Sequence, residues 1–188
     1  MIRYALFVLG ALLLFSHVLS AQVTVEDANK RARKWYDKST TYFAQQDLDK
    51  VEEALQKALD AEPEFVDAML RLADLYYMRK EFERAVKWFD NATHLAPNHN
   101  LRIYYTYGYA LWELDRYAEA GAAFARYGEI PNLSDRKRRE IDGILRNCQF
   151  AAEAVQHPVP FSPENLGPNV NTPGDEVSPF FDGNYLFF

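Results

Sequence analysis

The sequence contains a single cysteine, Cys148, so disulfide bonds can contribute little to this fold. In the stretch "REIDGILRNCQFAAEAV" the thiol falls on one helical stripe with apolar neighbours, and we expect it to be buried as a small hydrophobe. The stripe consists of Ile141, Leu145, Cys148, Ala152 and Val155. The alternative is an intermolecular disulfide, which a single cysteine supports only weakly.

The motifs of catalysis are also missing. The sequence has no glycine-rich phosphate loop, no nucleophile elbow and no HExxH zinc motif. His17 lies in the apolar N-terminal segment, whereas His94, His99 and His157 lie near turns or in a linker. Asp90 and His94 are one helical turn apart and could join His99 as metal ligands, but the set lacks the spacing of a metal motif. We therefore expect a protein that is not an enzyme and that has neither a metal site nor a cofactor.

Positive charge is in the minority, with 21 Lys and Arg against 27 Asp and Glu and a formal net charge of -6. Nucleic-acid-binding domains are usually basic, so this balance argues against that class of protein. The one basic run, "DRKRRE", contains the i,i+4 pairs Asp135–Arg139 and Arg136–Glu140, which are typical of a solvated helix face. We expect no nucleic-acid partner.

Long hydrophobic runs are absent apart from "ALFVLGALLLF", eleven residues from Ala5 to Phe15. A transmembrane helix needs about 20 apolar residues, so this run is too short for a confident span. Arg3 before it and the small residues of "VLSA" after it predict a signal peptide over residues 1–21, cleaved after Ala21. The segment "LSAQ" resembles a bacterial lipobox with Gln22 in place of the lipidated cysteine. We therefore predict a soluble exported protein without a lipid, and without a membrane span after cleavage.

What the sequence does contain is a repeat with a period of 34 residues. Pro63 and Pro97 are separated by this distance, and each follows an alanine-rich helical pattern. In this register the matched pairs are Ser39 and Ala73, Tyr42 and Tyr76, Leu55 and Phe89, and Ala58 and Ala92. A third copy, shifted by one residue, supplies Gly108, Tyr117, Ala120 and Phe124. Two positions depart from the pattern, namely Val51 in the first copy and Tyr127 in the third.

These positions resemble the tetratricopeptide repeat (TPR), a pair of helices with small residues where the helices touch. In the second copy the small residue is Ala73, Phe82 fills the turn, and Ala85, Phe89 and Ala92 follow on the second helix. A helix pair cannot bury its apolar face alone, so neighbouring repeats stack into a continuous core. The resemblance implies an all-α solenoid of about three repeats over residues 22–155. It ends in a seventh, capping helix that Ser134 would N-cap.

In TPR domains the first helix of each pair lines a concave groove that binds proteins. The resemblance places at this groove Arg33, Tyr36, Thr40 and Phe43 in the first repeat, Asp67, Leu70, Asp74 and Tyr77 in the second, and Arg102, Tyr105, Tyr109 and Trp112 in the third. Aromatic residues and arginine are favoured at protein contacts. The alternative, that several of these tyrosines pack against the capping helix or the next repeat, is open at each position.

The C-terminal part of the chain changes character. Residues 156–174 are rich in proline, asparagine and glycine, which predicts a linker. In residues 175–188, "SPFFDGNYLFF" has a proline before one apolar stretch and Asp182-Gly183 before another, which predicts a hairpin. The pattern resembles the start of a WD40-like, TolB-type β-propeller. Since a propeller needs several four-stranded blades, we interpret this segment as a truncated blade and the chain as a fragment of a longer protein.

The order of these segments resembles the N-terminal part of Bacteroidota envelope proteins that join TPRs, a WD40-like propeller and an OmpA-like domain. This family includes the peptidoglycan-anchoring component associated with type IX secretion. The resemblance implies a non-catalytic periplasmic scaffold, associated with the outer membrane, with a protein or peptide in its TPR groove. Peptidoglycan would be bound only through a C-terminal domain that this sequence lacks. The alternative is a stand-alone periplasmic TPR adaptor that binds peptides, with a disordered tail.

Overall fold

The computed structural model describes residues 23–158, and the backbone of residues 180–181 and 186–187. The predicted signal peptide and most of the predicted linker lie outside the described residues. The helices are α1 (Lys30–Ala44), α2 (Leu48–Ala61), α3 (Val66–Met78), α4 (Phe82–Leu95), α5 (Ile103–Trp112), α6 (Tyr117–Gly128) and α7 (Asp135–Gln156). The strands are β1 (Phe180–Phe181) and β2 (Leu186–Phe187). None of the described helices is both long and apolar enough to cross a membrane.

The chain divides into two compact units, residues 1–153 and residues 154–188. In the first unit the helices pack in consecutive pairs, α1 with α2, α3 with α4 and α5 with α6. Short connections make the two helices of a pair antiparallel. Consecutive pairs also touch, through α2 and α3 and through α4 and α5, while α3 lies against α5. The predicted all-helical TPR solenoid with a seventh helix is confirmed.

The buried positions follow the predicted period. Leu55, Phe89 and Phe124 occupy the same place in successive repeats, and all three are fully buried. The small residues Ser39 and Ala73 are also fully buried. These side chains are small because neighbouring helices approach each other closely there, so the 34-residue register describes real contacts.

The connection inside each helix pair has the same geometry. Gln46, Lys80 and Asp115 have φ angles of 59°, 61° and 57°, in the left-handed region. The amide of the next residue bonds back to the first helix in each case, as in Glu81 N to Tyr76 O at 2.9 Å. This is the hydrogen-bonding pattern of a helix that ends in a left-handed residue, a place usually taken by glycine.

We expect Lys80→Gly to raise the free energy of unfolding by about 0.5–1 kcal/mol, because glycine adopts positive φ without the clash of a β-carbon. Urea denaturation followed by circular dichroism measures the change. The control is Lys87→Gly on the exposed face of α4, which should lower stability by about 1 kcal/mol. A loss of stability in Lys80→Gly would contradict the assignment of strain to this turn.

Helix α7 packs against the last repeat through one stripe. Ile141 and Cys148 are buried, and a β-carbon added at Gly121 of α6 would lie 3.3 Å from Cys148 Cβ. Cys148 is a free thiol, and its burial raises the pKa of the thiol above its ordinary value. The prediction of a buried cysteine is therefore confirmed, and thiolate chemistry is disfavoured at this position.

In the second unit, β1 and β2 pair antiparallel, with Phe180 opposite Phe187 and Phe181 opposite Leu186. This pairing agrees with the predicted hairpin, whose turn lies outside the described residues. A two-stranded hairpin occurs in many folds, so its assignment to a propeller blade stays a prediction.

Candidate functional site

A concave pocket lies where the first helices of the three repeats come together. Its volume is about 510 Å³. The lining residues are Thr40 and Phe43 from α1, Val51 from α2, Arg71, Asp74, Leu75, Tyr77 and Met78 from α3, and Thr106 from α5. Two of the apolar side chains reach solvent, since Phe43 is 48% exposed and Met78 is 55% exposed. Exposed apolar surface beside a cavity is typical of a binding site.

Arg71 is held against helix α1. Its guanidinium lies 4.0 Å from the centre of the Tyr36 ring. Its Nη1 donates to Ser39 Oγ at 3.2 Å and to Thr40 Oγ1 at 2.5 Å. The stacking and the two hydrogen bonds fix the guanidinium on one wall of the pocket.

Asp74 lies on the same helix, one turn after Arg71, and its side chain reaches solvent. No side chain in the described part of the chain donates a hydrogen bond to its carboxylate. The carboxylate sits within the concavity, where protein replaces much of the surrounding water. This desolvation outweighs the attraction of Arg71 and raises the pKa of Asp74 to about 6.

The raised pKa of Asp74 predicts how stability depends on pH. A carboxyl group whose pKa is raised on folding stabilises the fold in its protonated form. This contribution is complete below the unfolded pKa and is lost as the pH rises through about 6. We therefore expect Asp74→Asn to be more stable than the parent at pH 8, by less than about 1 kcal/mol for a solvent-accessible group. The advantage should shrink through pH 6 and vanish below about pH 4. The same substitution at Asp142, exposed on α7, is the control. An Asp74→Asn advantage that does not change with pH would contradict the shifted pKa.

Of the four predicted groove residues of the first repeat, two line the pocket and two make contacts within the protein. Thr40 and Phe43 line the pocket. Tyr36 packs on Phe65, with ring centroids 5.1 Å apart. Arg33 donates to the carbonyl oxygen of Glu26, in the segment that precedes α1.

In the second repeat, Asp74 and Tyr77 line the pocket, whereas Leu70 is buried in the core. Asp67 joins three segments of the chain. Its Oδ2 accepts from the Val25 amide at 2.8 Å, and its Oδ1 lies 2.8 Å from His99 Nε2. Asp67 thus fastens the N-terminal segment and the α4–α5 connection to the start of α3.

The groove residues of the third repeat lie mainly in aromatic contacts within the protein. Tyr105 donates to Glu140 Oε1 of α7 at 2.8 Å, and its ring lies 5.0 Å from that of Tyr127. Burial, followed by its hydrogen bonds, raises the pKa of Tyr105. Tyr109 packs edge-on against Phe124 at 5.0 Å, and Trp112 packs against Tyr117 at 4.8 Å. Arg102 is exposed just before α5. Tyr105 therefore contacts the capping helix, which was the alternative for these positions.

Sequence reasoning missed several residues of the pocket, above all Arg71, Met78 and Thr106. Arg71 directly follows the predicted groove residue Leu70, and Met78 directly follows the predicted groove residue Tyr77. The pocket-facing stripe on α3 is wider than the four positions taken from the family pattern. In the sequence, Met78 directly follows the predicted groove residue Tyr77, and this adjacency was the available signal.

The residues considered as metal ligands have other contacts. The Tyr107 hydroxyl donates to Asp90, and His99 pairs with Asp67. His94 and Asp90 line a second, more open cleft of about 670 Å³. Within residues 23–158, no group of three or more His, Cys, Asp or Glu is arranged to hold a metal ion.

Comparison with known proteins identifies the repeats. Residues 36–100 match one tetratricopeptide-repeat model and residues 101–127 match another. No curated protein matches the chain.

Three solved structures show the same fold at low sequence identity. The first TPR of Spaghetti (RPAP3), solved with the HSP90 peptide SRMEEVD, is 24% identical with a TM-score of 0.54, over 65% of this chain and 96% of its own. The TPR2B domain of yeast Sti1, in a complex with pHsp70, is 21% identical with a TM-score of 0.54, over 65% and 98%. The Sgt2 TPR domain of Aspergillus fumigatus is 16% identical with a TM-score of 0.55, over 74% and 90%. Residues 36–127 are therefore tetratricopeptide repeats, and the helices of the described chain form a TPR solenoid.

Proposed function

We propose that this chain is a non-catalytic protein-interaction module that binds an extended peptide in the pocket between α1, α3 and α5. The observation that carries the proposal is the exposure of Phe43 and Met78 at the rim of a concave, partly charged cavity. Two solvent-exposed apolar side chains beside Arg71 and Asp74 offer both hydrophobic contact and polar orientation. This combination is what a peptide-binding pocket requires.

The solved neighbours support this proposal through their fold. The Spaghetti domain was solved with an HSP90 peptide and the Sti1 domain with pHsp70, so this fold accommodates such partners in other proteins. The volume of about 510 Å³ is large enough for one or two side chains of a peptide.

The test is selection from a random heptapeptide display library on the immobilised chain, followed by affinity measurements on the selected peptides. Phe43→Glu and Met78→Glu should each weaken binding at least about tenfold, because a buried charge would replace an apolar contact. Phe150→Glu is the matched control, since Phe150 is also apolar and is 75% exposed, but lies on α7 outside the pocket. Equal losses in all three variants, or no selected peptide, would overturn the proposal.

We also propose that the module works in the periplasm at the outer membrane, as the N-terminal part of a peptidoglycan-tethering protein of the OmpA family. The support is the sequence order of a signal-like segment, repeats, a linker and a propeller-like hairpin. Mass spectrometry of the exported chain should find an N-terminus at Gln22 without a lipid, and a diacylglyceryl adduct would contradict this. The second candidate, a stand-alone adaptor, is distinguished by the coding sequence downstream of Phe188, which would then encode no propeller or OmpA-like domain.

A further inference from the structure

We propose that the pocket selects peptides that place a basic side chain next to an apolar one, and that it discriminates against acidic peptides. This inference rests on the proposed peptide-binding function and adds the charge class of the ligand. The inference is based on the contacts of the two charged side chains of the pocket, Arg71 and Asp74.

The guanidinium of the pocket is already hydrogen-bonded to α1 and stacked on a ring of that helix. Arg71 is the only lysine or arginine among the residues that line the pocket. Its Nη1 group donates to Ser39 and Thr40, and its face covers the Tyr36 ring. An acidic ligand would have to share a guanidinium that is committed to α1, or to displace it from these contacts.

The negative charge of the pocket is available. Asp74 projects into the cavity, and no described side chain donates a hydrogen bond to it. Glu113 is exposed just after α5. Burial, and then the negative charge of Glu113, raise the pKa of the Tyr77 hydroxyl, so the field of Glu113 reaches this side of the pocket. The pocket therefore offers one carboxylate without a side-chain donor, whereas its one guanidinium is already bonded to α1. A cationic side chain would find a partner there without breaking an existing pair, whereas a carboxylate would meet repulsion.

The remaining surface of the pocket is apolar and aromatic. Phe43, Tyr77 and Met78 surround the opening near Asp74. Aromatic faces attract cations as well as apolar groups, and the flexible thioether of methionine adapts to different side-chain shapes. In a peptide with a lysine or arginine beside a phenylalanine or leucine, the basic side chain would contact Asp74 and the apolar side chain would contact the apolar and aromatic residues.

The experiment uses fluorescence anisotropy with two matched, fluorescein-labelled peptides, GGSKFKSG and GGSEFESG, on the full chain at low and high salt. We expect the lysine peptide to bind about two- to fivefold more tightly than the glutamate peptide at low salt, the size expected for an accessible ion pair. The preference should shrink as salt screens the pair.

Variants separate the pocket from the general negative charge of the chain. Asp74→Asn should abolish most of the preference, and Asp74→Lys should reverse it. Asp142→Asn should leave the preference unchanged, because this residue is exposed on α7 away from the pocket. Equal effects of Asp74→Asn and Asp142→Asn would show that the preference comes from net charge and would overturn the inference.

The two proposals fail in different ways. If the glutamate peptide binds as well as the lysine peptide, and Met78→Glu weakens both, peptide binding stands and the charge selectivity is wrong. If neither of these peptides nor the apolar peptide GGSFFFSG binds, both proposals are overturned.

Discussion

Replacing Ala73 by tryptophan should lower the free energy of unfolding by about 3 kcal/mol, at the upper end of the usual cost of overpacking a tight core. Ala73 has no exposed surface and lies where α3 meets its neighbours. The indole can be accommodated only if these helices separate. For a domain of this size the loss corresponds to a fall of roughly 10 °C in the melting temperature. Urea and thermal unfolding, both followed by circular dichroism at 222 nm, measure it.

The control for this experiment is Ala125→Trp, the same substitution at an exposed position in the second half of α6. Surface substitutions usually change stability by less than about 0.5 kcal/mol, so the control should unfold almost like the parent. An unchanged melting temperature in Ala73→Trp would show that the 34-residue register does not locate the helix contacts.

The sequence was sufficient for the fold because a repeat constrains the same position several times. Ser39 is a polar residue and would not be assigned to a core on its own, but its alignment with Ala73 predicts its burial. The structure buries both completely. Inside the protein the Ser39 hydroxyl donates to the Tyr36 carbonyl oxygen at 2.6 Å, which meets the requirement that a buried polar group be hydrogen-bonded.

The helix-ending turns show what the same pattern does not reveal. Glycine is the usual signal for a left-handed residue, but Gln46, Lys80 and Asp115 occupy these turns. In each turn the left-handed residue lets the next amide bond back to the first helix, whatever the side chain is. The residue type at these positions therefore did not predict the left-handed conformation.

The groove could be predicted only in part, for a related reason. Helical periodicity shows which residues share a face, but the neighbour that covers each residue depends on the other helices. Leu70 and Tyr105 occupy equivalent positions on the groove face by the family pattern. Yet Leu70 is buried in the core, whereas the Tyr105 hydroxyl donates to Glu140 of α7. Asp67 bonds to Val25 and His99 and does not line the pocket. Both partners are distant in the sequence, so no local pattern connects them with Asp67.

The second large effect is expected at the contact between Gly108 and Phe124. A β-carbon at Gly108 would lie 2.8 Å from Phe124 Cζ, closer than real contacts allow. We expect Gly108→Leu to lower stability by about 3 kcal/mol through overpacking, although leucine is the better helix former by nearly 1 kcal/mol. Phe124→Ala should cost about 3–5 kcal/mol, because Phe124 is fully buried and its ring packs against Tyr109.

The double variant, Gly108→Leu with Phe124→Ala, should lose clearly less stability than the sum of the two single variants. Removing the ring of Phe124 leaves a cavity at the point where the new leucine side chain would otherwise clash, so each change relieves the defect of the other. Residues in direct contact typically show coupling energies of about 0.5–3 kcal/mol in such cycles. Urea unfolding of the parent and the three variants measures the coupling directly. Additive losses would mean that residue 108 does not face Phe124 in solution, and that α5 and α6 do not pack in the register that the repeat predicts.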